Sequence, residues 1–138
     1  MSTRLETGAC FCGAVAAEMH GDPFWICYDH DDDCRRAIGS RLTIWIGYRP
    51  NEFRLTRGVL KSFSKTKGVT RTFCPECGTS ISYFDEGLRD ELYLTIGFFD
   101  HPERFPPQEI VLTHNLTPRK CLGFLTPLLG AEYSEKRR

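Results

Sequence analysis

The sequence has no surplus of either charge: Lys plus Arg and Asp plus Glu both count 18, for a net charge of zero. Proteins that hold nucleic acid or anionic membrane surfaces carry a basic excess, so neither partner class is indicated. No apolar run approaches the roughly 20 residues of a membrane span. The first residues, with Arg4 and Glu6 among them, do not read as a signal peptide. There is no internal repeat and no low-complexity tract. The lack of a signal peptide favours a cytoplasmic location. The length of 138 residues, with 41% hydrophobic, suits one domain with its own core.

What the sequence does have is cysteine. There are seven, an odd number that argues against a fully paired disulfide framework. In a reducing compartment, clustered thiols are expected to be metal ligands. Cys74-Pro75-Glu76-Cys77-Gly78 reads as a knuckle, with Pro fixing one φ and Gly supplying the open backbone of the turn. Ala9-Cys10-Phe11-Cys12-Gly13 offers a second pair far upstream. On a regular strand, alternate residues share a face, so Cys10 and Cys12 are expected to present both sulfurs together. Two pairs suit a closed tetrahedral zinc on Cys10, Cys12, Cys74 and Cys77. Such an ion holds a fold together and leaves no open coordination position for chemistry.

Between the pairs, short β-branched and aromatic runs separated by Gly, Pro and Asp turns predict a mainly β domain. Strands are expected near 14–19, 24–27, 42–48, 52–55, 60–64, 69–73, 80–84 and 91–97, with a late one over 109–113. Helix is a rival for the alanine-rich 14–19. One short helix is predicted after Asp29–Asp33, because carboxylates suit a helix N-terminus, with Gly39 as its stop. The domain is read over 1–138, with roughly 115–138 an atypical or partly disordered tail. Cys121 reads as a free thiol, and His20, His101 and His114 receive no role.

The stretch from Cys27 to Cys34 holds the second cluster. Cys27, His30, Asp31 and Cys34 could hold another metal with an open position, or they could be a buried strand cysteine and an Asp-rich helix cap. Arg35 and Arg36 beside Cys34 would lower its thiol pKa, while the carboxylates before it push the other way. The same arginines could clamp a substrate carboxylate.

Taken together, Gly8–Val15, Cys34-Arg35-Arg36-Ala37, Phe73–Thr79, Gly97–Asp100 and Pro102–Gln108 resemble the glutathione-dependent formaldehyde-activating enzyme family, which includes the centromere protein V domain. The resemblance covers roughly residues 5 to 110. It implies a β-tent fold, two antiparallel sheets clamped by the four-cysteine zinc, and a carbon–sulfur lyase acting on S-hydroxymethylglutathione or similar thiol adducts. It also implies a second zinc on a three-cysteine C-x-C-x-x-C run. Here only Cys34 of that run is present, and the other two positions fall on Asp29 and Asp31. Carboxylates in place of soft thiolates favour a harder ion or none. The expected function is therefore a lyase-like enzyme with Cys34, His30 and Arg35 at its centre. The alternative is a zinc-stabilised binding module without catalysis. Methionine sulfoxide reductases share a tent-like fold, but they carry C-x-x-C at both knuckles, unlike Cys10 and Cys12.

Overall fold

The computed structural model describes residues 3–106, 109–112 and 135–137. Pro107, Gln108, His114 and Cys121 lie outside the described residues, as does the expected tail except for 135–137. The described chain forms two sheets and one short helix. The smaller sheet is three-stranded and antiparallel, in the order β1 (Leu5–Ala9), β2 (Ala16–His20), β5 (Phe53–Arg57). The alanine-rich segment is thus a strand.

The larger sheet has eight strands. From one edge they run β11 (Glu135–Arg137), β10 (Glu109–Leu112), β3 (Trp25–Asp29), β4 (Thr43–Tyr48). The order continues β9 (Leu92–Thr95), β8 (Ser80–Asp85), β7 (Val69–Phe73), β6 (Lys61–Phe63). It is antiparallel except around β10, which pairs parallel with β3 and β11. The helix α1 (Asp32–Ile38) follows β3. Asp31 caps it by accepting the Cys34 N–H at 3.1 Å, and Gly39 ends it in the left-handed conformation.

The larger sheet is covered on both faces. Alternation along β3 and β4 sends Ile26, Ile46 and Tyr48 to one side, where they meet Val15, Ala17 and Met19 of the smaller sheet and its approach. It sends Cys27 and Trp45 to the other side, where they pack with Cys34 of α1 and with Tyr93. Burial on both faces is why β4 reads as a near-continuous apolar run. Fully burying a side chain such as Ile46 or Met19 contributes about 1.5–3 kcal/mol. Past β9, Asp100 ties the sheets together: its N–H donates to the Thr7 carbonyl at 2.9 Å, and its carboxylate accepts from the Thr7 hydroxyl at 2.6 Å.

The register of the larger sheet lays one transverse row on its α1 face. Trp25 pairs with Gly47, Gly47 with Tyr93, Tyr93 with Tyr83, Tyr83 with Arg71 and Arg71 with Phe63. Four aromatic residues and one arginine therefore cross the sheet in line beside the helix.

Candidate metal centre and substrate cavity

Two matching turns bring the four cysteines together. Cys10–Gly13 connects β1 to β2, and Cys74–Gly78 connects β7 to β8. In the first, Gly13 N–H donates to the Cys10 carbonyl at 3.0 Å; in the second, Gly78 N–H donates to the Cys74 carbonyl at 2.9 Å. Both glycines sit near φ +79° and +78°, a region that L side chains avoid. The expectation that Cys10 and Cys12 project from a regular strand is corrected: β1 ends at Ala9, and the turn itself aims both sulfurs.

The four Sγ atoms lie within 4.8 Å of one another, with Cys10–Cys12 at 3.7 Å and Cys12–Cys74 at 3.8 Å. A tetrahedron with Zn–S bonds of about 2.3 Å has edges of about 3.8 Å, so the sulfurs already stand at coordination spacing. The surrounding bonds favour thiolate. Val15 N–H donates to Cys10 Sγ at 3.2 Å. The Thr79 hydroxyl, then the backbone N–H groups of Thr79 and Cys12, hold the Cys77 thiol down to about 5. Cys12 has a backbone hydrogen bond at Ala14 in its favour, yet lost hydration and its sulfur neighbours push it up to about 12. Four crowded thiols cannot all ionise unaided, and a cation at their centre removes the conflict. The donor set and spacing fit a structural metal that clamps the smaller sheet to the larger.

A cavity of about 610 Å³ opens between α1, β7, β8 and the turn after β6. Asp31, Asp33, Cys34 and Arg36 line it from the helix side, Lys65 and Thr66 from the turn. Arg71 and Tyr83 line the sheet side, and Gly78 brings in the metal knuckle. Arg71 Nη2 donates to Cys34 Sγ at 3.6 Å, and its guanidinium lies 4.9 Å from the centroid of the Tyr83 ring. Lys65 bridges to Asp33 at 2.9 Å, joining the turn to the helix. Burial pushes the Cys34 thiol up to about 12, with the Asp29 charge adding to it and Arg71 opposing. Cys34 is therefore a neutral thiol at physiological pH.

Cys34 and Asp31 thus reach the cavity, but the rest of the expected second cluster does not. Cys27 is fully buried in β3 and His30, just past the end of that strand, is also buried; neither lines the cavity. Burial, with the charge of Arg41 adding to it, holds the His30 imidazole below its usual range. Arg35 turns away to Asp32 at 3.7 Å, because Asp33, Arg36 and Ala37 share the helix face that meets the cavity and residue 35 lies off it. Among the described residues, the four-cysteine group is the one place where three or more ligand atoms converge. Asp29 accepts the Asp31 N–H at 2.8 Å, and Asp31 accepts the Cys34 N–H. These carboxylates work as backbone caps, which does not fit the second zinc that the three-cysteine run implies. The arginine that approaches Cys34 is Arg71, from a strand 37 positions away.

The profile of the glutathione-dependent formaldehyde-activating enzymes matches residues 5–115. The chain belongs to this family. A solved structure of a Rhodobacter sphaeroides protein, a structural-genomics target, is 20% identical, with a TM-score of 0.58. The match covers 83% of this chain and 94% of that one, and it carries the fold alone. No curated protein matches the chain. Family membership agrees with the mainly β architecture and the metal-spaced cysteines. Arg71, Lys65 and Phe63 are the cavity residues that sequence reasoning missed. The available signal was the alternation Val69-x-Arg71-x-Phe73, which places a cation on a sheet face between two apolar residues. Among the described residues, no helix is long and apolar enough to cross a membrane.

Proposed function

We propose that this chain is a zinc-stapled, cytoplasmic lyase-like enzyme for thiol adducts of the S-hydroxymethylglutathione type. The observation that carries this reading is the cavity in which Cys34, Arg71, Arg36 and Lys65 meet the four-cysteine knuckle. Zinc is the ion that four thiolates at tetrahedral spacing favour, and its part is to hold the two sheets in place. The cations suit the carboxylates of a peptide thiol.

In the cleavage direction, the adduct hydroxyl gives its proton to Asp31, which spends one carboxylate oxygen on the helix cap and offers the other. The O–H electron pair becomes the second bond of the carbonyl. The C–S bond breaks, and its pair leaves with sulfur as a thiolate beside the Arg71 guanidinium, then takes a proton from solvent. Cys34 is a positioning residue here, because its sulfur accepts from Arg71 and fixes the guanidinium.

The test is interconversion of formaldehyde plus glutathione with their adduct, followed by exchange-resolved NMR. Wild type is expected to accelerate it. Arg71→Ala and Cys34→Ala should each lose about tenfold or more in kcat/KM, and Cys34→Ser, which keeps an acceptor, should recover part of the loss. Unchanged turnover in Cys34→Ala and Arg71→Ala would sink the mechanism. The use of Asp29 and Asp31 as caps favours a second reading, a binding module without catalysis. In that case adducts raise the melting temperature and no exchange is accelerated.

A further inference from the structure

We infer that the adduct this cavity is built for is a hemithioacetal of an aromatic aldehyde, with the aryl ring on the hydroxyl-bearing carbon bonded to sulfur. The inference rests on the reading that the cavity takes a thiol adduct. The cavity of about 610 Å³ lies well within the range of sites that enclose drug-sized ligands, and a one-carbon substituent on a thiol occupies little of it. On the sheet side Phe63, Val69, Phe73 and Tyr83 add apolar surface beside Arg71, Thr72 and Ser80.

Two of these, Phe63 and Tyr83, stand on either side of Arg71 in one row. Phe63, Arg71 and Tyr83 are direct cross-strand neighbours on β6, β7 and β8, so their side chains share a face. The Arg71 guanidinium lies against Tyr83 on one side, and Phe63 stands on its other flank. Phe63 is 62% exposed on the outermost strand of this side of the sheet, a large apolar surface beside the cavity. Beyond Tyr83 the row continues through Tyr93 to Trp25, with ring centroids 6.2 and 5.6 Å apart, which holds Tyr83 in place from behind. An aryl ring entering between Phe63 and Tyr83 gains edge or offset contacts with both rings and lies over the guanidinium. Arg36 of the helix faces the same cavity and suits a peptide carboxylate.

The experiment is calorimetric titration of the full, metal-loaded chain with S-methyl-, S-hexyl- and S-benzylglutathione. S-benzylglutathione is expected to bind about tenfold or more tighter than the S-methyl form, and tighter than the S-hexyl form. Phe63→Ala, an exposed position whose loss leaves the core intact, should erase most of that difference. Equal affinities for the methyl and benzyl compounds in wild type would overturn the inference while leaving the thiol-adduct reading standing. An equal gain from hexyl and benzyl would overturn the aromatic specificity. Binding of none of the three at millimolar concentration would overturn both the inference and the reading beneath it.

Discussion

Cys12→Ser isolates what the metal does for this fold. Cys12 is the exposed member of the four-cysteine group, so replacing its sulfur leaves the packed core untouched. Its Sγ faces that of Cys74 across 62 positions of chain, and the ion closes that stretch into a loop. In the chain-entropy treatment of a cross-link, closing a loop of this length contributes about 4 kcal/mol by restricting the unfolded chain. A domain of this size has only about 5–15 kcal/mol in total. The variant is therefore expected to fold marginally, with a melting temperature lower by roughly 10–20 °C. Elemental analysis of protein purified without added metal should give one zinc per wild-type chain and well under one in the variant. Thermal unfolding with and without a strong chelator closes the comparison: chelator should lower the wild-type transition to the variant's and leave the variant's own unmoved. A variant that keeps its zinc and melts within 2 °C or so of wild type would refute the staple.

Two further outcomes follow from titration. With its thiol at about 12, Cys34 should be alkylated by iodoacetamide at pH 8 at least about a hundredfold more slowly than a free cysteine in the native chain, read by peptide mass spectrometry. Labelling at the free-thiol rate would show that Arg71 outweighs burial. His30 is held below its ordinary range by burial and by Arg41, so the unfolded chain binds its proton at a higher pH than the folded one. Stability from this group is full above about pH 6.5 and is lost as pH falls from there through the folded pKa. His30→Gln should flatten that limb in urea midpoints measured against pH, and an unchanged slope would remove His30 as its source.

The elements were largely legible because their signals are local. Asp31 and Gly39 mark the helix ends through cap chemistry that needs no tertiary partner. The cysteine pairs announce a metal because ligand spacing is itself a geometric constraint. What the sequence left open depends on register. Nothing near Arg71 says that Phe63 and Tyr83 are its neighbours, since that follows from two strand pairings. Arg35 lies outside the cavity lining for a similar reason: two adjacent arginines look equivalent until the helix phase puts Arg36 on the cavity face and sends Arg35 to Asp32. The C-x-C pair was read as strand because period-two geometry would also aim both sulfurs one way; the positive φ of Gly13 shows that a turn does it instead.

Gly78 completes the turn that carries Cys74 and Cys77, and it also forms part of the cavity wall. On the proposed function, metal and adduct would meet the same piece of backbone, and their equilibria are expected to be coupled. Whatever factor the ion adds to the affinity for an adduct, the adduct must add to the retention of the ion. The fraction of chain that a chelator demetallates at equilibrium is therefore expected to change when an adduct analogue is added.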